Sequence, residues 1–217
     1  MYAEYYEKIL YPLQDKAIEA FKDSSFYLTG GTVLSRVYYH HRYSDDIDYF
    51  VNYLSNFEKL AEIQVERLSK IFNDVEVEYR GEDFYRIFVS ERRLKIELVN
   101  DVPAHFGSLT EHPKFGLIDS KENILANKIT AVIDRSMPKD ILDMYFLLKD
   151  GISLKEALIN VNSKASGIVP IYLAKIIAEF DYSLLDTEIK WIKPFSSYEI
   201  KKFMNDIAMA IINGTVK

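Results

Sequence analysis

The spacing of hydrophobic residues along the first half of the chain predicts a mixture of helices and strands. Three segments carry apolar residues at helical spacing, and five others are short apolar runs or alternate between apolar and polar residues. The predicted helices cover residues 7–21, 32–40 and 56–72. The predicted strands cover residues 26–28, 46–51, 75–79, 84–89 and 94–99. This mixture is typical of an α/β (α+β) domain with a mixed sheet and flanking helices.

The second half of the chain carries helical periodicity alone. The predicted helices cover residues 120–134, 139–149, 154–162, 171–179 and 198–212. Pro138 suits the first turn of a helix, and Ser120 suits a helix start. We therefore predict two domains, an α/β domain over residues 1–118 and a helical domain over residues 119–217.

Composition narrows the class of protein. Of the 217 residues 48% are hydrophobic, which is enough for a substantial core. No apolar run reaches the 18 residues of a membrane span, and the first residues lack the pattern of a secretory signal. The absence of cysteine fits a reducing cytoplasm, where we expect the protein to reside. The net charge of -6 means that nucleic acid could bind only at a local basic patch, for which Arg36, His40, His41, Arg42 and Arg80 are candidates.

The chemistry is concentrated between a Gly-Gly pair and an Asp-x-Asp pair. Gly30 and Gly31 lie between a predicted strand and a predicted helix, where backbone amides and the helix dipole can hold a phosphate, and Thr32 adds a hydroxyl. Asp46 and Asp48 alternate on one strand and share a face. Two carboxylates side by side repel each other unless a cation compensates them, and Mg²⁺ prefers such oxygen ligands. The combination predicts metal-assisted chemistry on a nucleoside triphosphate (NTP).

A third carboxylate could come from another predicted strand. Glu97 points to the face opposite Leu94, Ile96 and Leu98, and it could join the aspartates if its strand lies beside theirs. The alternative is that Glu97 lies on an exposed strand face, and pattern alone favours that alternative. Glu76 and Glu78 alternate in the same way and are rival candidates.

The run from Gly30 to Phe50 resembles the signature of the DNA-polymerase-β-like nucleotidyltransferases, and most closely the AbiEii/AbiGii toxin type. The string Arg42-Tyr43-Ser44-Asp45-Asp46-Ile47-Asp48 is similar to that family's Arg-x-Ser-x-Asp-Ile-Asp motif, and a later Lys, Arg and basic-Asp-x-x-Asp pattern is similar to Lys128, Arg135 and Lys139 to Asp143. The resemblance spans roughly residues 26–148. It implies a nucleotidyltransferase-type sheet followed by a helical lobe.

The resemblance also implies roles for individual residues. Asp46, Asp48 and Glu97 would be catalytic and would hold the metal, two Mg²⁺ ions in all, and Lys128 and Asp143 would be catalytic as well. The residues implied in NTP binding are Gly30, Gly31, Thr32, Ser44, Lys128 and Arg135. Asp140 is implied less directly, since Asp140 and Asp143 share a helix face. A solvated helix with ordinary ion pairs is the alternative interpretation of this later motif.

The expected reaction is transfer of a nucleoside monophosphate from an NTP to an acceptor hydroxyl. The resemblance implies an RNA acceptor such as a tRNA end, a toxin of a toxin–antitoxin or phage-defence system, and a cognate antitoxin as partner. Two other classes stay open: an inactive module of the same fold that binds an NTP or a partner protein, and a metal-dependent phosphohydrolase that uses the same acids.

Overall fold

The chain folds into two compact units. The computed structural model describes residues 2–164, 167 and 169–216. The first unit comprises residues 1–38 and 43–119, and the second comprises residues 39–42 and 120–217. The main division falls between Asp119 and Ser120, one residue from the predicted position. The separate assignment of residues 39–42 to the second unit has no counterpart in the sequence pattern.

The first unit is built on a seven-stranded mixed sheet. Its strands are β1 (Tyr27–Thr29), β2 (Ile47–Asn52), β3 (Val75–Arg80), β4 (Phe84–Val89), β5 (Leu94–Asp101), β6 (Thr110–His112) and β7 (Gly116–Ile118). Their order across the sheet is β3-β4-β5-β2-β1-β7-β6. β2 runs parallel to β5 and β1 runs parallel to β7, whereas the other neighbours are antiparallel. The predicted mixed α/β fold is confirmed.

Two strands were not predicted. β6 and β7 have three residues each, which is too short for an alternating pattern to stand out. The stretch from Gly116 to Ile118, where the sequence pattern places the boundary between domains, is itself β7 and belongs to the sheet.

The alternation of the central strands creates one apolar face and one polar face. Ile47, Tyr49 and Val51 of β2 are buried, as are the alternate residues of β5, Leu94, Ile96 and Leu98. The intervening positions are half-buried and carry Asp48 and Glu97. Because successive side chains of a strand point to opposite faces, burying the apolar set forces both acids onto the other face.

The helices of the first unit include two π-helical turns. They are α1 (Tyr2–Tyr5), a π-helix (Tyr6–Leu10), α2 (Tyr11–Glu19), α3 (Gly30–Val33), a second π-helix (Leu34–Tyr38) and α4 (Phe57–Ser69). The sequence predicts a plain helix at residues 7–21 and another at 32–40, because a π turn does not alter the apolar pattern enough to be seen. α3 begins at Gly30 rather than Thr32, because the φ of +69° at Gly30 turns the chain directly from β1 into the helix.

The second unit is helical. Its helices are α5 (Lys121–Arg135), α6 (Pro138–Lys149), α7 (Leu154–Lys164), α8 (Pro170–Glu179), α9 (Leu184–Glu188) and α10 (Ser197–Ile212). Ser120 caps α5 by accepting a hydrogen bond from the amide of Asn123, and Pro138 opens α6. Among the described helices of this unit, the five-residue α9 was not predicted from the sequence pattern. In the described residues, no helix combines the length and apolar character needed to cross a membrane.

Candidate active site

A row of polar residues crosses four neighbouring strands on the polar face of the sheet. Asp48 of β2 is in register with Glu97 of β5 on one side and with Thr29 of β1 on the other. Leu28 is in register with Ile118, which places Asp119 next to Thr29. Neighbouring strands lie about 4.8 Å apart, and residues in register point to the same face. The sheet thus brings together two of the predicted metal ligands, Asp48 and Glu97.

Asp46 faces Lys95 of β5. Ile47 is in register with Ile96, so the residues that precede them, Asp46 and Lys95, stand opposite each other. The Nζ atom of Lys95 lies 3.3 Å from Oδ2 of Asp46 and 3.3 Å from Oε1 of Glu97. Partial burial acts to lower the pKa of Lys95, but the two carboxylates outweigh burial and raise the pKa above its usual value. Lys95 is thus a charged bridge between two predicted metal ligands.

Glu97 has a second cationic neighbour. The Nε of Arg86, its register partner on β4, lies 2.7 Å from Oε1 of Glu97. The hydrogen bond to Glu97 raises the pKa of Arg86. Asp46, Asp48 and Glu97 share their face of the sheet with the cations of Lys95 and Arg86, and the three carboxylates do not converge on one point. In the described part of the chain, no three His, Asp or Glu side chains come together closely enough to hold a metal ion.

Gly30 provides the surface against which Asp48 lies. A Cβ atom added to Gly30 would come within 2.8 Å of Oδ2 of Asp48, closer than any real Cβ contact. Gly31 follows in the first turn of α3. The Gly-Gly pair therefore begins a helix directly beside one of the predicted metal ligands, and glycine is required there both by backbone conformation and by space.

The two hydroxyls predicted to bind phosphate are buried. Oγ1 of Thr32 is hydrogen-bonded to Oγ of Ser44 at 3.0 Å, and it donates to the backbone carbonyl of Asp46. Thr32 is 1% exposed and Ser44 is 6% exposed. In this structure the hydroxyls hold the backbone at Asp46.

The loop that leads to Asp46 is also held by the N-terminal helices. Nε2 of Gln14, on α2, donates to the carbonyls of Ser44 at 2.9 Å and Asp45 at 3.3 Å. The hydroxyl of Tyr6 bonds to the carboxylate of Asp45, and burial raises the pKa of Tyr6. Sequence reasoning missed both residues. The available signal was a glutamine at a core position of an amphipathic helix, which must find buried hydrogen-bond partners.

The far end of the polar row is a buried aspartate. Asp119 accepts hydrogen bonds from Oγ1 of Thr29 at 2.5 Å, and Nε2 of His105 lies 2.9 Å from its other carboxylate oxygen. Asp119 is fully buried, and its amide donates to the carbonyl of Leu28 at 2.9 Å. This cluster fixes the end of β1 immediately before Gly30. Sequence reasoning missed it because Asp119 appears as an ordinary residue before a helix cap.

In the second unit, Asp143 is the centre of a buried charge cluster. Its carboxylate contacts Nε2 of His41 at 2.8 Å, Nη2 of Arg42 at 2.7 Å and Nζ of Lys128 at 2.7 Å. Burial acts to raise the pKa of Asp143, but Arg42 and Lys128 hold it well below its usual range. Burial lowers the pKa of His41, whose Nδ1 is buried without a hydrogen-bond partner. The cluster ties residues 41 and 42 to α6.

Asp140 joins the same cluster. It accepts hydrogen bonds from Lys128 at 2.7 Å and from Nε of Arg135 at 2.8 Å, and it is fully buried. Burial works to lower the pKa of Lys128, and Asp143 and Asp140 together raise it. The ammonium of Lys128, which was predicted to contact phosphate, is thus paired with the carboxylates of Asp140 and Asp143. The side chain of Arg135, in contrast, is 54% exposed.

Part of the expected basic patch is buried, whereas His40 and Arg80 are exposed. His41 and Arg42 are buried in the Asp143 cluster. The side chain of Arg36 is 7% exposed and pairs with Asp15 at 2.6 Å, and Arg80 pairs with Glu62 at 3.2 Å. Each arginine of the predicted patch pairs with an acid that is distant in sequence, and the sequence pattern did not show these partners.

Solved structures define the class of this protein. A Helicobacter pylori protein described as a nucleotidyltransferase aligns with a TM-score of 0.62 at 18% identity, over 94% of both chains. MenT4, a nucleotidyltransferase toxin of Mycobacterium tuberculosis H37Rv, aligns with a TM-score of 0.54 at 13% identity, over 94% of this chain and 83% of that one. The fold is that of a nucleotidyltransferase.

The sequence comparison identifies the family. The family described as nucleotidyl transferase AbiEii toxin of type IV toxin–antitoxin systems matches residues 13–213. An uncharacterized protein of Aquifex aeolicus (strain VF5) is 26% identical over 200 residues, which is 84% of this chain and 90% of that protein. The chain belongs to the AbiEii nucleotidyltransferase toxin family, as the motif resemblance implied.

Proposed function

We propose that this protein transfers a nucleoside monophosphate from an NTP to an acceptor hydroxyl in a metal-dependent reaction and releases pyrophosphate. The observation that carries the proposal is the register of the sheet, which sets Asp48 beside Glu97 and against Gly30. Family membership supports the same reaction class. The acids, the glycine turn and the helix start are the parts that such a reaction needs.

The donor set fits a hard divalent cation such as Mg²⁺. Asp48 on β2 and Asp46, the residue just before β2, offer carboxylate oxygens, and Mg²⁺ usually completes its shell with water and substrate phosphates. Asp46 and Asp48 would hold the ion in this proposal. When bound, the ion would supply neutralisation of the phosphate charge and would polarise the attacked phosphate.

The remaining steps fall to the residues of the chain. The amides at the start of α3, from Gly30 and Gly31, bind the phosphates of the NTP. The acceptor oxygen bonds to the α-phosphorus while the bond to the β-phosphate oxygen breaks, and pyrophosphate leaves with that electron pair. Oε1 of Glu97 is occupied by Arg86 and Lys95. Oε2 makes no hydrogen bond within the described part of the chain, so it can accept the proton of the acceptor hydroxyl.

We assign a positioning role to the Asp143 cluster. Lys128 and Asp143, which the family resemblance places in catalysis, are buried and bonded to each other. Through Arg42 the cluster holds the chain just before the Ser44–Asp48 motif. Arg135, with its half-exposed guanidinium, remains the better candidate of the set for an NTP contact.

The acceptor that we propose is RNA, with a tRNA end as the first candidate, and the partner is a cognate antitoxin. The support is family membership among type IV toxin–antitoxin nucleotidyltransferases. A gene for a small antitoxin beside the gene for this chain would add to it.

Labelled NTPs test the proposed function. The protein is incubated with each of the four α-³²P-NTPs, Mg²⁺ and total RNA, with Asp48→Asn as the matched inactive variant. Label transferred to RNA by the wild type alone supports the proposal. Labelled nucleoside diphosphate or monophosphate that is not attached to RNA instead indicates a phosphohydrolase, and an NTP-dependent rise in melting temperature without product indicates an inactive binding module.

A further inference from the structure

The ammonium of Lys95 contacts an acid that the proposed function assigns to the metal. Lys95 stands opposite Asp46 because the residues that follow them, Ile96 and Ile47, are in register. The Nζ atom of Lys95 lies 3.3 Å from Oδ2 of Asp46 and 3.3 Å from Oε1 of Glu97. One cation therefore bridges a proposed metal ligand and the proposed proton acceptor.

Asp46 depends on this lysine for compensation of its charge. In the described part of the chain, no other Lys, Arg or His side chain forms an ion pair with the carboxylate of Asp46. Glu97, in contrast, has a second cation in Arg86 at 2.7 Å, and Arg86 also pairs with Glu78 at 3.5 Å. The position of the Lys95 ammonium thus decides whether the charge of Asp46 is available to a metal ion.

The charge of Lys95 is only partly screened by solvent. The side chains of Lys95 and Asp46 are each 27% exposed. Burial acts to lower the pKa of Lys95, but the charges of Asp46, Glu97 and Asp48 raise the pKa above its usual value. The ammonium is therefore attracted by all three acids, and it would repel a divalent cation that binds to Asp46.

An NTP gives the ammonium another place to bind. A lysine carries its charge on a flexible four-carbon stem, so Nζ can move while the backbone stays in place. The start of α3, where the proposed function places the NTP phosphates, lies against Asp48 on the same face of the sheet as Lys95. Phosphate oxygens there can accept the hydrogen bonds that the ammonium gives up at Asp46.

We propose that Lys95 couples metal binding to NTP binding: its ammonium competes with the divalent cation for Asp46, and the phosphates of the NTP draw the ammonium away. This inference rests on the proposed function. The protein then binds the metal ion weakly by itself and tightly together with an NTP. The coupling is reciprocal, because each ligand must change the affinity for the other by the same factor.

Two binding measurements on the full chain test this inference without turnover. The electron paramagnetic resonance signal of free Mn²⁺ gives the Mn²⁺ affinity without nucleotide, and mant-labelled NTPs in EDTA give the affinity for metal-free nucleotide. Lys95→Gln should bind Mn²⁺ at least about tenfold more tightly, because the competing charge is gone. The same variant should bind metal-free nucleotide at least about threefold more weakly, because the uncompensated acids repel the phosphates. A general loss of structure would weaken both affinities.

Three further variants are the controls. Lys95→Arg keeps the positive charge and should bind Mn²⁺ no more tightly than the wild type. Arg93→Gln removes the same charge from a turn, where Arg93 pairs with Glu91 at 2.8 Å, and should leave both affinities unchanged. Lys95→Met, also uncharged, replaces Lys95→Gln if that variant does not fold, as judged by circular dichroism.

The outcomes separate the inference from the proposed function. The role of Lys95 is overturned if a folded neutral variant binds Mn²⁺ no more tightly than the wild type, or binds metal-free nucleotide equally well. An equal gain in Mn²⁺ affinity in Arg93→Gln overturns it as well, because net charge alone then explains the result. Label transfer by the wild type leaves the proposed function in place in each of these cases. A wild type that transfers no label to RNA would overturn the proposed function, and the inference with it.

Discussion

The carboxylate of Asp48 lies against the backbone of Gly30, so close that a methyl group on Gly30 would meet Oδ2 of Asp48 at 2.8 Å. Gly30 also adopts a φ of +69°, which side-chain-bearing residues rarely adopt. The register of β1 and β2 makes this contact possible, because Thr29 is the partner of Asp48 and Gly30 follows it. The turn proposed to bind phosphate and the acid proposed to bind the metal are thus in direct contact.

Gly30→Ala is expected to disrupt both functions of this element. The left-handed backbone costs roughly 1–2 kcal/mol for a residue with a Cβ, and the new methyl group displaces Asp48. We expect a lower melting temperature and loss of NTP transfer. Gly116→Ala is the matched control, because Gly116 has a φ of +68° and open space around its Cβ position. It should lose similar stability and keep its activity; equal activity losses in both variants would contradict the site assignment.

Asp48→Asn is expected to abolish transfer without unfolding the protein. Removing one of several neighbouring carboxylates relieves repulsion, so the melting temperature without ligand should stay the same or rise. Addition of Mg²⁺ and an NTP should raise the melting temperature of the wild type by mass action and leave the variant nearly unmoved. An equal rise in the melting temperature of both proteins would show that Asp48 does not bind the metal.

Glu97→Gln should cut the transfer rate severely while NTP binding changes little, because in the proposed mechanism Glu97 acts on the acceptor in the transition state. Glu76→Gln and Glu78→Gln are the controls. Both glutamates lie on β3, at the edge of the sheet, and pair with Arg92, and their replacement should be close to neutral. If Glu76→Gln or Glu78→Gln is inactive while Glu97→Gln remains active, the third acid of the site lies on β3 and not on β5.

Substitutions on the opposite face of β5, at Ile96 and Leu98, should lower the stability of the protein without acting on the chemistry. Ile96 and Leu98 are fully buried, so Ile96→Ala and Leu98→Ala should each cost roughly 2–5 kcal/mol in a urea unfolding experiment. Glu97→Gln, measured in the same way, should stay well below that range.

Asp143→Asn should be strongly destabilising, because it leaves Arg42 and Lys128 buried with reduced compensation. Breaking a buried pair from one side costs roughly 3–5 kcal/mol. Arg135→Gln, at a half-exposed ion pair, is the comparison and should cost at most about 1 kcal/mol. If Asp143→Asn instead melts like the wild type but no longer transfers nucleotide, Asp143 is catalytic as the family motif implies.

The buried His41 makes stability depend on pH. Burial lowers the pKa of His41 below its usual 6.5. Just below pH 6.5 the unfolded chain therefore binds a proton at His41 that the folded chain does not bind. Stability should therefore fall as the pH decreases from about 6.5 toward the folded pKa of His41. Asp143, with its pKa held low, adds a separate loss below pH 4. His41→Gln should flatten the slope of the urea midpoints just below pH 6.5, whereas His40→Gln, at the exposed neighbouring position, should retain it.

Local features were predictable because they are encoded by residues adjacent in sequence. Alternation predicted that Asp46 and Asp48 share a face, although β2 itself begins only at Ile47. It also placed Glu97 opposite Leu94, Ile96 and Leu98 on β5, since a strand has a period of two. Helical periodicity located α5 to α8 and α10 within two residues at each end. The three-residue strands β6 and β7 and the π turns escaped because so few residues carry no measurable period.

Strand order and charge partners were decided only by the tertiary structure, because they join residues far apart along the chain. Nothing in the sequence around Lys95 shows that it faces Asp46, since that contact depends on the parallel register of β2 and β5. The motif at Lys128 and Asp143 was recognisable, but its burial with Arg42 depends on how the helices pack. The sequence by itself determined which residues could perform the chemistry; folding decided which cation each acid meets, because electrostatic energy depends on distance in space and not on separation in sequence.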